Sequence, residues 1–534
     1  MRKKIMRLAV MSLAFVLLLG VAGAGEAAPV GQGKKIVFVP IDNRPITDKQ
    51  TRDVAEKLGY EVVVPPDALL GTRDQYGDPD GLWAWLRENA RGADAAVIST
   101  DAMIYGSLVG SRNHELSKET IAERVRRFQE FHSDFPRLRV YAFGTIMRTL
   151  LSVNHSGGME PEEYEKYAVP IYNYSILRDK MDMGVLSRSK EKREFARLGR
   201  EIPQRVLEAW DKRHALNYDA NVQLVDLTRQ GVFSFFFLGG DDSAPYSQTH
   251  YESRHLKEYG KDLGKTRFQV TSGADELAMV MLCRAINDDA GDIPFVYTAY
   301  NEGMGRNTIP KYCNEKIGDD VDATIVAAGG MIIPAPERAE LVLAINTNPD
   351  GKTGEANGPA NTIRPRAGTM PFVSMVKDFV GKGYPVGVGD ITYSNGSDNA
   401  LMEQFRKEDL QFRIRAYGGW NTATNTTGFL IGTGLLLKWM DRKDAEELML
   451  TRYLDEWAYQ ANVRQRLANE LPSLPGTEGN GANLGGKRAA ASEKATQWIA
   501  EFAKENIHLP NGISLENLRV THPWNRLFEC DIEF

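Results

Sequence analysis

The stretch that most limits what this chain can become is Val232–Glu252, reading VFSFFFLGGDDSAPYSQTHYE. Its apolar run from Val232 to Leu238 is too dense and too aromatic for a surface loop. It predicts a strand buried on both faces, which is the environment inside a parallel sheet. The run breaks at Gly239-Gly240 and delivers Asp241 and Asp242 side by side, followed by Tyr246 and His250. In open α/β sheets ligands sit outside the carboxyl ends of strands. Two adjacent carboxylates at that point therefore mark a polar site.

The same alternation of short β-rich runs and helical stretches extends along the chain from Lys34. KKIVFVPIDNRP ends in Asp42 and Arg44, and AAVISTD ends at Asp101 and continues to Tyr105. LRVYAFGTIMR closes on Arg148, and TRFQVTSGADE carries Asp275 and Glu276. PFVYTAYNEG ends in Asn301 and Glu302. ATIVAAGG, LVLAINT, YPVGVGDITYSNGSDN and FRIRAYGGWNTATNTTG read as further strands, bringing Asp390, Trp420, Asn421 and Asn425 to strand ends. Repeated β-then-α units imply parallel sheets with helical crossovers. Residues 155–229 break the rhythm and read as a helical insertion.

With 534 residues the chain exceeds one ordinary core. The expected fold is α/β with two open, mainly parallel, Rossmann-like domains, over 34–292 and 293–440, and a helical tail over 441–534. The final RVTHPWNRLFECDIEF reads as a strand that rejoins a sheet edge. The alternative is a (β/α)8-like barrel with an added α/β domain, which loads its strand ends in the same way.

The N-terminus reads as an export signal over residues 1–27. Arg2, Lys3, Lys4 and Arg7 precede an apolar Leu8–Val21 and a small-residue exit, with cleavage after Ala24 or Ala27. The expected location is secreted or at the cell envelope, with no stable membrane insertion after cleavage; an uncleaved anchor is the competing reading. A net charge of −6, with Lys and Arg spread throughout, argues against nucleic acid as the partner. The three cysteines form no Cys-x-x-Cys pair, and Cys283 reads as a buried small hydrophobe.

No glycine-rich dinucleotide fingerprint, phosphate loop or Gly-x-Ser-x-Gly elbow occurs, so no cofactor is expected. Paired carboxylates serve acid/base or nucleophilic work, as in glycoside hydrolysis, or hold a hard cation. Asp241 and Asp242, then Asp101 and Glu276, are the candidates for catalysis. Asp42, Arg44, Tyr105, Tyr246, His250, Asn301, Glu302, Asp390, Trp420, Asn421 and Asn425 are the candidates for binding a small-molecule or glycan ligand. For any one of them, an N-cap on the following helix is the plainer role. Arg44, Arg112, Arg148 and Arg306 are placed to balance the acids, so a metal-free site is expected; failing that, Asp241, Asp390 or Asp398 would hold a divalent cation. The overall expectation is an exported hydrolase of a glycan or polyol-like envelope substrate. The alternative is an exported binding protein without turnover.

Five runs, VPIDNRP, STDAMIYGSLVGSR, GGDDSAPY, SGADELA and GWNTATNTTG, together resemble the bacterial family known as domain of unknown function 4127. The resemblance covers nearly the whole mature chain. It implies that these strand-end residues share one site and implies no reaction.

Overall fold

The computed structural model describes residues 29–150, 161–186 and 189–534. The leader reading at the N-terminus and the first residues of the helical insertion lie outside them.

Six strands form the first sheet: β1 (Lys35–Val39), β2 (Glu61–Val63), β3 (Ala95–Ser99), β4 (Arg139–Ile146), β5 (Phe235–Gly240) and β6 (Phe268–Ser272). All pairings are parallel, in the order β2-β1-β3-β4-β5-β6. The dense run at β5 explains itself there. Phe235, Phe236, Phe237 and Leu238 are all 0% exposed between two neighbouring strands. Each such side chain stabilises the fold by about 1.5–3 kcal/mol relative to exposure.

The second sheet holds β7 (Phe295–Tyr300), β8 (Met331–Ile332), β9 (Leu341–Asn346), β11 (Val386–Asp390) and β13 (Ala416–Gly418), again all parallel, in the order β8-β7-β9-β11-β13. The short β10 (Gly354–Glu355) and β12 (Tyr393–Ser394) pair with each other beside it. Both sheets are open, so the architecture is two open parallel sheets and not a closed barrel. Both also run outward first and then reverse, between β1 and β3 and between β7 and β9. Such a reversal leaves a crevice at the strands' carboxyl ends.

One core joins the sheets. Phe38, Phe143 and Phe237 of the first and Leu343 and Ile345 of the second belong to the same buried cluster, filled between them by the helices Leu277–Ala290 and Ala423–Leu436. Cys283 is buried in the former helix, and all three cysteines are free. The insertion consists of the helices Glu162–Lys166, Ala168–Asp182, Ser189–Glu201 and Gln204–Arg229 between β4 and β5.

Two sequence expectations fail. ATIVAAGG is not a strand but the end of the helix Ile317–Ala327 and its turn. That helix packs against both sheets, at β6 and β8, and a short apolar run cannot be told helix from strand by period alone. The last strand, β15 (Asp531–Glu533), rejoins neither sheet; it pairs antiparallel with β14 (Arg519–Thr521).

Candidate functional site

At the end of β5 the chain must pass the turn after β6. A Cβ on Gly239 would sit 2.0 Å from the Gly273 carbonyl oxygen, so glycine is required for the two turns to touch. The two aspartates that follow then diverge. Asp241 is buried and takes a two-pronged grip from Arg112, Nε to Oδ2 at 2.8 Å and Nη2 to Oδ1 at 2.9 Å. Arg112 lies in the last turn of the helix Leu108–Asn113, at the end of the run STDAMIYGSLVGSR. Asp242 adopts φ +36°, a left-handed backbone that costs a non-glycine residue of order 1–3 kcal/mol. Its side chain is 34% exposed, with Oδ2 accepting from Arg148 Nη1 at 2.9 Å.

From β1, Arg44 donates through Nε and Nη2 to Asp42 and through Nη2 to Asp275 Oδ1 at 2.6 Å. Asp42 also accepts from the Thr47 hydroxyl. The other oxygen of Asp275 accepts from Asn421 Nδ2 at 3.0 Å and Asn425 Nδ2 at 3.5 Å, while Asn425 Oδ1 takes the backbone N–H groups of Ala274 and Asp275. Burial pushes the Asp275 carboxyl upward, against the lowering by Arg44.

These groups wall a cavity of about 330 Å³ at the first sheet's carboxyl end. Its other side comes from the C-terminal tail. Trp524 Nε1 donates to Asn43 Oδ1 at 2.7 Å, with the guanidinium of Arg44 5.1 Å and that of Arg526 5.0 Å from its ring centre. Arg526 lies 5.4 Å and Arg464 5.2 Å from the ring of Phe528. The result is an alternating series of guanidinium and aromatic groups, with contacts individually worth about 0.5–2 kcal/mol. A loop crosses beside it: Leu527 N donates to Gly481 O and Leu484 N to Asn525 O. Seven described non-glycine residues have left-handed backbones, and four of them, Asp242, Tyr312, Asn395 and Asn421, line this one cavity. Strain of that kind concentrates at functional sites.

The structure brings Asp42, Arg44, Asp241, Asp242, Asn421 and Asn425 into one neighbourhood, with Asp275 among them. It does not bring the rest there. Asp101 faces the strands, accepting from the backbone and hydroxyl of Thr145 at 2.7 and 2.8 Å; burial raises its carboxyl to about 7. Glu276 is buried against Gly428 of the helix Ala423–Leu436, its carboxyl also pushed up by burial, and it does not line the cavity. Tyr105 stacks on His114 in the core. His250 pairs with Asp179 at 2.5 Å and Tyr246 lies beneath Lys180, so both fasten the helical insertion to the turn and the helix Gln248–Tyr259 that follow β5. Trp420 is buried against Phe528, 6.1 Å between ring centres.

Asn301 and Asp390 belong to a second cluster at the end of the other sheet. Asn301 Nδ2 donates to Asn346 Oδ1 and to the carbonyls of Thr347 and Gly368. Asp390 is 0% exposed, accepts from Asp398 N, Tyr417 OH and Asn346 Nδ2, and is raised to about 7 by burial and by the nearby Asp398. Arg366 pairs with Asp398. Glu302 is exposed, and Arg306 pairs with Asp322 and Asp319 away from either cluster. Among the described residues no group of three or more His, Cys, Asp or Glu is arranged to hold a metal ion. No described helix is long and apolar enough to cross a membrane.

Trp524, Arg526 and Phe528 are cavity residues that the sequence reading passed over. The Trp-Asn-Arg following Pro523 was the available signal, masked by the apparent strand alternation of RVTHPWNRLFECDIEF.

The family model for the protein of unknown function DUF4127 matches residues 36–533. The chain belongs to that family. No curated protein matches it. The DUF4127 match spans both sheets and the tail, so every cavity residue from Arg44 to Phe528 lies within it.

Proposed function

We propose that this protein is an exported hydrolase acting on a glycan or polyol-like envelope substrate bound in the cavity at the end of the first sheet. The observation that carries the reading is the state of the three cavity carboxylates. Asp241 and Asp275 spend both oxygens on protein donors, whereas Asp242 Oδ1 has no hydrogen-bond partner among the described residues. A half-open carboxylate on a strained backbone, held from one side by Arg148, suits a nucleophile or general base. Asp275, whose carboxyl burial pushes up, is the second carboxyl for proton transfer. Arg112 and Arg44 fix their partners in place. A volume of about 330 Å³ accommodates one or two sugar rings, and asparagine amides beside Trp524 and Phe528 suit a surface with hydroxyl groups on an apolar ring.

A binding protein without turnover remains the second reading, favoured by the arginine already paired with each cavity carboxylate. Such a binder would not work by hinge closure, because one apolar core spans both sheets.

The test compares wild type and Asp242→Asn on isolated envelope glycan, with released fragments measured by mass spectrometry. Turnover is expected to fall by about 10²-fold or more in the variant. Equal turnover removes Asp242 from the chemistry, and heat of binding without product from wild type gives the second reading.

A further inference from the structure

Four arginines and three aspartates line the cavity, with Asp42 and Glu529 standing behind Arg44 and Arg526. What each group still has to offer a ligand differs sharply between the two kinds. Arg112 uses Nε and Nη2 on Asp241, and Arg44 uses Nε and Nη2 on Asp42 and Asp275. Neither has a partner for Nη1 among the described residues, yet the side chains of both are 95% buried. Guanidinium groups cannot lose their charge and have only donors. Neither Nη1 group is sealed off from solvent, and both residues line the cavity, so a ligand there can reach them. On the acceptor side, Asp241 and Asp275 already accept at both oxygens, whereas Asp242 accepts at one only.

The wall formed by Arg44 and Arg112 therefore asks for acceptors and can satisfy few donors. A hydroxyl placed there must still find an acceptor for its hydrogen beside carboxylates already engaged by arginine; a carboxylate or phosphate brings acceptors alone. We infer that the ligand of this cavity carries an oxyanion, received by the free Nη1 groups of Arg44 and Arg112, with the rest of the ligand extending toward Asp242. The carboxylate latches behind the two guanidinium groups hold them rigid, so little side-chain entropy is lost when the oxyanion arrives. The inference rests on the cavity being the ligand site and does not require hydrolysis.

The experiment is calorimetric titration of the full-length mature protein with glucuronate, glucose 6-phosphate, inorganic phosphate and methyl glucoside. The two acidic sugars are expected to bind about ten- to a hundredfold more tightly than methyl glucoside, the value of one or two charge-assisted hydrogen bonds. Which acidic sugar binds tighter distinguishes carboxylate from phosphate as the natural group, and inorganic phosphate competing with either locates the oxyanion. Arg112→Lys keeps a charge for Asp241 but removes the planar second edge. It is expected to erase the preference for acidic sugars, with thermal unfolding checking that the variant is folded. Should it fail to fold, the wild-type comparison alone decides. Methyl glucoside binding as tightly as the acidic sugars overturns the inference, and so does no detectable binding of either acid. Acid binding without any glycan turnover leaves the inference standing and removes the hydrolase; glycan turnover with no acid preference does the reverse.

Discussion

The two sheets follow the same strand order, one outward step and then a reversal, yet their carboxyl ends have opposite fates. At the first, aspartate–arginine pairs wall an open cavity. At the second, the chain fills its own crevice. The loop between Asn346 and Arg366 folds back over the β7–β9 reversal, and Asn301 fastens its start at Thr347 and the turn just beyond its end at Gly368. Asn361 continues the plug, donating to Ala356 O and Ser397 O and accepting from Asn399 N. Topology supplies a crevice in both cases; whether it becomes a site depends on what else enters it. Amides suit a plug because each can both donate and accept, and here they are joined to the Arg366–Asp398 ion pair through Asn346. Arginine–aspartate pairs suit a site because a guanidinium latched on two edges still has a third.

The largest contrast is expected from removing one fastening on each side. Asp241→Ala leaves the Arg112 guanidinium buried without its partner and should cost about 3–5 kcal/mol in urea unfolding. Asn301→Ala removes only neutral hydrogen bonds from the plug and should cost about 1–3 kcal/mol. Equal costs would mean that the two ends are held by the same kind of interaction.

A smaller effect concerns protons that both ends hide. Asp101 beneath the cavity and Asp390 beneath the plug are each raised to about 7 by burial. The folded protein keeps these protons between about pH 4, where an unfolded aspartate titrates, and pH 7. Their stabilising contribution is complete below the unfolded value and is lost as pH rises through 7. Stability should therefore increase as pH falls from 8 toward 5, by up to about 1.4 kcal/mol per pH unit for each group. Asp101→Asn and Asp390→Asn should each flatten the slope by one group. A slope unchanged in either variant would show that its carboxyl is ionised in the fold.

Much of the fold is legible in the residues because buried parallel strands are short, β-rich and bounded. The helix Ile317–Ala327 escaped for the same reason: burial on several sides erases the period that separates helix from strand. The site is legible where one strand end and its following turn supply it, as at Asp42 and Arg44 or at Asp241 and Asp242. It fails where direction matters, since a strand-end carboxylate can turn back into the sheet, as Asp101 does, or down against a helix, as Glu276 does. The division into 34–292 and 293–440 sets Asn301 and Asp390 apart from Asp241, but no local pattern shows that their strand ends close on each other rather than open toward the same cavity. Trp524 and Arg526 reach Arg44 from the far end of the chain, a pairing no local pattern encodes.

The most direct measurement of which carboxyl end is used is hydrogen–deuterium exchange of the protein with and without an envelope-glycan digest. Slowed exchange is expected at residues 241–246, 273–276, 421–425 and 522–528, around the open cavity. Slowed exchange confined to 346–368 and 390–399, around the plugged crevice, would contradict the assignment of the site to the first sheet.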